Sequence, residues 1–441
     1  MKKNLCLCLL ICFSFLSRAQ APNPALVGYF QNWQDANATY IQLDQVDARY
    51  NVIDVAFAVP QNGTEYKMEF IPDQVSQSTF ISQMQTLQSQ GKKVIISIGG
   101  ATAPVSLGNI AERDTFISTM TNILSAYNFD GMDIDLEGGS LSLTGGTIAV
   151  PVDAPVINLI YAIKQIMGNY FSQTGHKLIL TMAPETAGVQ GGQSAYGGIW
   201  GAHLPVIDAL RDSLELIHVQ LYNSGSQYGL DGQIYTQSTA DFIVAMCEAV
   251  IRGFNTSGGM FTGLPANKVA VGLPACSMAA GSGFTDTLTV KNAIDYLRGD
   301  GPQPGSYSLI NANGYPDLRG MMTWSINWDA VATCGSAYEY ARNFQNIFGT
   351  ATSVSIIHDA EKIFSVYPVP ADQQIIVNVS SAENFSGVKI YNVTGVEIFS
   401  ERLKEQQAAI DAGNFENGIY FVKIESQNKT EMQKLVIEHS H

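Results

Sequence analysis

Phe129-Asp130-Gly131-Met132-Asp133-Ile134-Asp135-Leu136-Glu137 is the stretch that decides the fold. Three carboxylates, Asp133, Asp135 and Glu137, recur in it at every second position. On an extended chain that spacing puts all three on one face, roughly 6.6–6.8 Å apart for each neighbouring pair. Met132, Ile134 and Leu136 take the opposite face, as a strand covered by helices requires. Acids held this close repel one another, so a chain with no use for them would not keep them in a row. The row reads as an active site.

Outward from this strand, short apolar, β-branched runs recur with helical stretches between them. They are Leu26–Phe30, Val52–Val59, Lys93–Ile98, Gly131–Leu136, Lys177–Ala183, Leu216–Leu221, Val269–Leu273 and Gly320–Trp324. One intervening helix is plain: Val156, Ile160, Ile163, Met167 and Tyr170 follow a 3–4 spacing, with Asp153 and Pro155 placed to start it. Eight βα units over roughly 325 residues is the arithmetic of an α/β fold closed into a (β/α)8 TIM barrel, somewhat above the typical ~250. A doubly wound open sheet is the alternative, but no glycine fingerprint for a dinucleotide follows the first strand. In a TIM barrel the catalytic groups sit at the C-terminal strand ends. Glu137 ends the fourth expected strand, Tyr222 the sixth and Trp324 the eighth.

Composition bounds the rest. With 441 residues, 46% hydrophobic and only 14% charged, the chain suits one large packed domain with room for a smaller one. The net charge of −15 and the lack of any basic stripe exclude nucleic acid and anionic membranes as partners, and leave a neutral polymer unaffected. Residues 1–19 have the layout of a signal peptide: Lys2 and Lys3, an apolar run from Leu5 to Leu16, then Ser17-Arg18-Ala19. That run is too short to span a membrane comfortably, and no later stretch forms a transmembrane segment. Cys12 after Leu9-Leu10-Ile11 is a poor lipoprotein box because Ile11 is bulky. Cleavage removes Cys6, Cys8 and Cys12 and leaves Cys247, Cys276 and Cys334. Their spacing suits no metal, at most one disulfide can form, and buried free thiols are expected.

The catalytic domain is expected over 20–349, a small polar linker over 350–363, and short alternating strands over 364–441. The last are Ile375–Val379, Gly387–Asn392, Glu397–Phe399, Gly418–Ile424 and Gln433–Ile437, a small all-β immunoglobulin-like sandwich.

Glu137 reads as a general acid, kept protonated by neighbouring Asp135 and partial burial; the bland alternative is a solvated carboxylate row at a barrel mouth. A retaining glycosidase needs a second carboxylate about 5–5.5 Å across the sugar, and an inverting one needs it farther off. Asp133 and Asp135 share Glu137's strand and lie beneath it. The recognised exception is a substrate-assisted glycosidase, in which an N-acetyl carbonyl on the sugar attacks its own anomeric carbon to give an oxazolinium intermediate.

The segment Asp130–Glu137 matches in full the DGxDxDxE signature of glycoside hydrolase family 18 chitinases, of the bacterial type without the α+β insertion domain. Ser97-Ile98-Gly99-Gly100, Met182-Ala183-Pro184-Glu185, Gln220-Leu221-Tyr222-Asn223 and Met322-Thr323-Trp324-Ser325-Ile326-Asn327-Trp328-Asp329 resemble further motifs of that family, so the resemblance spans about 25–348. It implies that Glu137 is acid and then base, that Asp135 holds the acetamide, and that Asp133 couples electrostatically to Asp135. It implies too that Tyr222 holds the acetamide carbonyl, and that Trp324 is the floor under the distorted sugar. Gln220, Asn223 and Met182 would line the same subsite, with Tyr29 as a further wall. Gly99 and Gly100 read as structural, while Trp33, Trp200 and Trp328 fit sugar platforms or packing equally, and Glu185 a subsite polar group or a surface acid. About 45 residues between Leu273 and Gly320 leave no room for the insertion domain, so an open groove and endo-type cleavage are expected.

The tail resembles the C-terminal sorting domain of the type IX (Por) secretion system through Tyr367-Pro368-Val369-Pro370-Ala371, Val388–Gly395, Gly418-Ile419-Tyr420 and Lys434-Leu435-Val436; Val369 stands where that family more often has Asn. The resemblances together imply a secreted or cell-surface, monomeric endo-chitinase that needs no cofactor. Its partners would be chitin or chito-oligosaccharides and the type IX machinery. An endo-β-N-acetylglucosaminidase acting on N-glycan cores is the enzyme alternative. A chitin-binding lectin is the non-catalytic one, disfavoured because Glu137 is intact.

Overall fold

The computed structural model describes residues 21–331, 335–349, 364–379, 385–392, 396–402, 407–426 and 430–439. The signal-peptide segment, the linker and Cys334 lie outside these residues. The chain divides into two compact units, one through Ser353 and one from Val354.

In the first unit eight parallel strands form a barrel: β1 (Ala25–Gln31), β2 (Val52–Pro60), β3 (Lys93–Gly99), β4 (Gly131–Asp135), β5 (Ile179–Met182), β6 (Leu216–Ile217), β7 (Ala270–Pro274) and β8 (Gly320–Trp324). The hydrogen-bonded order is β7-β8-β1-β2-β3-β4-β5-β6. Bridges Ile217↔Val269 and Gln220↔Gly272 then join β6 to β7 and close the ring. Strand β6 is a regular ladder only over two residues, shorter than the apolar run to Leu221. The extended path nevertheless continues, with backbone bonds from His218 to Met182, Gln220 to Pro184 and Leu221 to Gly272.

Helices α1 (Gln77–Ser89), α2 (Ile110–Tyr127), α3 (Ala154–Thr174), α4 (Leu204–Leu210), α5 (Ala240–Arg252), α6 (Thr287–Arg298), α7 (Ile326–Ala330) and α8 (Glu339–Phe348) accompany the strands. None is long and apolar enough to cross a membrane. Helix α3 starts at the expected place, but Asp153 does not cap it. Its carboxylate instead takes the Thr144 N–H and hydroxyl, which ties down the loop over the β4 mouth. Between β7 and β8 stand only α6 and its connecting loops.

The period-2 alternation sorts side chains into two cores. Ile53, Val55, Ile96, Ile98, Met132, Ile134 and Leu136 pack outward under the helices, while Val27, Tyr29, Val52, Ile95, Ile179 and Met322 fill the barrel. Gly131 is demanded by close approach, since a Cβ there would lie 2.0 Å from the Ile179 carbonyl oxygen. Cys247 is a buried free thiol. Cys276 is disulfide-bonded, which corrects the expectation of free thiols.

The second unit is a β-sandwich. Its strands are β9 (Phe364–Tyr367), β10 (Gln374–Val379), β11 (Phe385–Asn392), β12 (Glu397–Glu401), β13 (Gln407–Asp411), β14 (Gly418–Ser426) and β15 (Thr430–Ile437). They pair antiparallel as β9-β10-β13 and β12-β11-β14-β15. Phe364, Val377, Ile390, Val422 and Leu435 share its core. Strands β9 and β13 were not among the expected ones; the first is only four residues long and the second is weakly apolar.

Candidate active site

The ladder registers explain the first carboxylate. Ser97 on β3 and Thr181 on β5 stand opposite Asp133, and alternation turns all three inward. Asp133 is fully buried. Its Oδ1 accepts the Thr181 hydroxyl at 2.6 Å, and its Oδ2 accepts those of Tyr29 at 2.7 Å and Ser97 at 2.8 Å. At the other end of β4, the Asp130 carboxylate takes the Val94 N–H and so ties β4 to the start of β3.

One step up the strand, Gly100 donates its N–H to the Asp135 carbonyl at 2.8 Å. Gly99 and Gly100 both hold positive φ, and a Cβ on Gly99 would strike that same carbonyl at 2.4 Å. The glycine pair is therefore structural. It lets β3 turn away directly over the acid row. Asp135 is 2% exposed. Burial, then Glu137 and Asp133, push its carboxyl well above the usual range, while the Gln220 amide opposes them.

Glu137 sits just past the strand end, half-buried at the mouth. Burial also raises it, again against the Gln220 hydrogen bond. Gln220 Nε2 donates to Asp135 Oδ1 at 2.8 Å, to Glu137 Oε1 at 3.1 Å and to the Ala183 carbonyl at 3.1 Å. One amide thus ties the two acids to the ends of β5 and β6. Glu185 also stands at the mouth. It raises Glu137 and accepts the Gly138 N–H at 2.8 Å.

Tyr222 is 7% exposed and faces the barrel interior. Burial, then Asp135 and Glu137, raise its phenol well above the usual value, so it remains an O–H donor. Asn223 is exposed in a left-handed turn, with its Oδ1 accepting the Ser282 N–H at 3.0 Å. Trp324 is half-buried at the end of β8, 5.9 Å from Phe57 and nearly parallel to it, with Trp33 6.3 Å from both. Trp328 is buried against Ala38, Cys276 and Ala279, so it is packing. Trp200 is 39% exposed.

Two expected roles need correcting. Met182 does not line the site: Thr181 and Ala183 take the inward positions of β5, so alternation turns Met182 outward into the core under the helices. Tyr29 is no wall either. It is 1% exposed and supports Asp133 from inside the barrel through its hydroxyl.

Four residues were missed. Phe57 completes the aromatic shelf. His203 is buried at the start of α4, and its Nε2 donates to the Leu136 carbonyl at 3.0 Å, next to Glu137. Burial lowers this imidazole to about 4, so it stays neutral. Asp54 and His218 face the barrel interior beside Asp133. A charged residue at the inward phase of an apolar strand, as in Val52–Ala56, was the available signal for Asp54.

The arrangement can deliver a proton from a raised carboxyl at the rim, beside an aromatic shelf, with a second raised carboxyl directly beneath. The sequence profile of glycosyl hydrolases family 18 matches residues 25–394, and that of the secretion system C-terminal sorting domain matches 365–438. Chitinase Chi52 of Paenibacillus xylanexedens is 43% identical over 338 residues, which is 76% of this chain and 64% of that protein. Chitinase D of Niallia circulans is 45% identical over 339 residues, again 76% and 64%. The chain therefore spans slightly less than two thirds of the length of these two relatives. The crystal structure of a family GH18 chitinase from Chromobacterium violaceum superposes with a TM-score of 0.65 at 37% identity, covering 74% of this chain and 84% of that one.

Proposed function

The chain belongs to glycosyl hydrolases family 18, and on that premise we propose that it is an endo-chitinase cleaving β-1,4 N-acetylglucosamine linkages with retention. The observation that carries this reading is the pair Asp135 and Glu137, both raised and bridged by Gln220. The neighbouring acid, Glu185, is tied to the Gly138 N–H at the adjacent strand end. That leaves the nucleophile to the substrate's acetamido group, the route open to family 18.

Glu137 gives its proton to the glycosidic oxygen as the acetamido carbonyl oxygen bonds to the anomeric carbon. Asp135, ionised at that moment, accepts the acetamido N–H and offsets the positive charge of the oxazolinium ion. Glu137, now a carboxylate, takes a proton from the water that opens the ion, and the starting configuration is restored. Asp133, held by three hydroxyls, keeps Asp135 in place. The Tyr222 hydroxyl donates to the acetamido oxygen, Trp324 lies under the sugar face, and Gln220 and Asn223 flank the subsite. The short β7–β8 connection supports an open groove and attack within a chain. The sorting domain marks the protein for secretion or the cell surface, and type IX machinery is the partner we assign to it.

Product analysis on colloidal chitin beside a high-mannose glycoprotein tests the reading. Chito-oligosaccharides released first as the β-anomer are expected, and Glu137→Gln should lose turnover while still binding chitin. Release of N-glycans alone, an α-anomer, or full activity of the variant would each defeat it.

A further inference from the structure

Beside the acid row the barrel holds two ionisable side chains that the reaction above does not use. Asp54 and His218 have no solvent exposure. Neither oxygen of Asp54 and neither ring nitrogen of His218 has a hydrogen-bond partner among the described residues. His218 Nε2 lies 3.8 Å from Asp54 Oδ2 and 3.7 Å from Asp133 Oδ1. Buried polar groups left unpaired are costly, and an unpaired buried charge more so. Something must therefore be shared among these atoms.

The surroundings decide what. Asp133 already receives three hydroxyl donors, whereas Asp54 receives none. Burial, then Asp133 and Asp135, raise the Asp54 carboxyl well above its ordinary value. Burial lowers His218, although Asp133 pulls the other way. Both directions put a proton on Asp54 and leave a neutral imidazole to accept it. Tyr29, on β1, also faces the pair, its ring meeting the His218 ring edge-on at 6.1 Å. None of Tyr29, Asp54, Asp133, Asp135 and His218 is paired with lysine or arginine among the described residues.

We propose that Asp54 and His218 are positioning residues that hold one shared proton beside Asp133, and that this proton adjusts the charge beneath the reacting acids. The proposal rests on the family 18 reading given above. At rest the Asp54 acid donates its O–H toward His218 Nε2, a gap that closes to hydrogen-bond length with a shift of roughly 1 Å. When Glu137 has given its proton to the leaving oxygen and stands as a carboxylate above the already ionised Asp135, the Asp54 O–H bond breaks and an Nε2–H bond forms. The imidazolium then stands beside Asp133 Oδ1, so positive charge follows the new negative charge. The pair's net charge does not change, and no external acid is consumed.

Infrared difference spectra of the full chain near neutral pH, parent minus Asp54→Asn, should show the C=O stretch of a protonated buried carboxylic acid. This readout needs no turnover, so it stands even if chitin proves to be the wrong substrate. His218→Leu should lower kcat about 10-fold or more with little change in KM, and shift the pH optimum. His218→Gln, whose amide oxygen can accept the Asp54 proton, should recover most of that loss. A difference spectrum without the acid band would overturn the proposal, as would equal loss in both His218 variants. A divalent ion bound stoichiometrically to the purified protein would also do so, because it would occupy the proton's place.

Discussion

Replacing Gln220 by Met removes the one donor among the described residues that touches both Asp135 and Glu137, while keeping side-chain length and volume. The amide nitrogen lies 2.8 Å from Asp135 Oδ1 and 3.1 Å from Glu137 Oε1. Donation to a carboxylate stabilises the anion, so Gln220 holds both acids down while burial pushes both up. A hydrogen bond to a charged group contributes about 1.5–3 kcal/mol, and one pKa unit corresponds to about 1.4 kcal/mol. The amide is shared among three acceptors, so the lower end applies and the pair should titrate about one unit higher. The sign follows for both limbs of the rate profile. On the acid side, where Asp135 must lose its proton, the limb moves up. On the alkaline side, where Glu137 must still carry its proton, the limb also moves up. The kcat/KM profile on a chito-oligosaccharide should therefore move up by about one pH unit as a whole. At the foot of the parent's acid limb the rate should fall about 10-fold, while alkaline activity holds or rises. An unmoved bell, or one displaced to lower pH, would refute the reasoning.

Trp324→Ala removes the ring stacked 5.9 Å from Phe57 and should cost about 3 kcal/mol of substrate-face contact, a drop in kcat/KM near 100-fold measured on the same oligosaccharide. Glu248 is fully buried on α5 and accepts the hydroxyls of Tyr307 and Tyr315 and the backbone N–H groups of Ile310 and Asn311. Glu248→Ala strands those donors and should lower stability by about 3 kcal/mol or more, seen in calorimetry as a loss of roughly 4 °C or more in Tm for a domain of this size, with the pH profile of activity unmoved. Asp54 binds its proton more tightly folded than unfolded, so its contribution to stability is full below the ordinary carboxyl range near 4 and is lost as pH rises toward its folded value. Asp54→Asn should accordingly gain stability over the parent as pH climbs from about 4 to 8, and parallel Tm-against-pH curves would contradict this.

The barrel and its acid row were legible in the sequence because both depend on local geometry. A strand alternates its side chains with period 2 wherever it sits, so Asp133, Asp135 and Glu137 had to share a face once Gly131–Leu136 was read as extended. The same period-2 signal marked most strands of the tail, and failed only at the short, weakly apolar β9 and β13. Met182 shows where local reading stopped. Whether it or Thr181 turns inward is fixed by the ladder to β4, where Thr181 meets Asp133. Tyr29 was placed on the correct strand but at the wrong height, because only its bond to Asp133 shows that it lies under the site. The disulfide state of Cys276 was not legible from cysteine spacing.

By itself, then, the sequence determined the fold class, the order of the strands and the identity of the acids at the end of the fourth. Tertiary structure alone decided which neighbours those acids have. Ser97, Thr181 and Tyr29 reach Asp133, and Gln220 reaches both acids above it, from strands separated by tens of residues. The physical reason is that alternation is a property of one strand, whereas register and closure belong to the whole barrel. The Asp54–His218 approach exists only because closure brings β2 and the path of β6 to face each other across the interior.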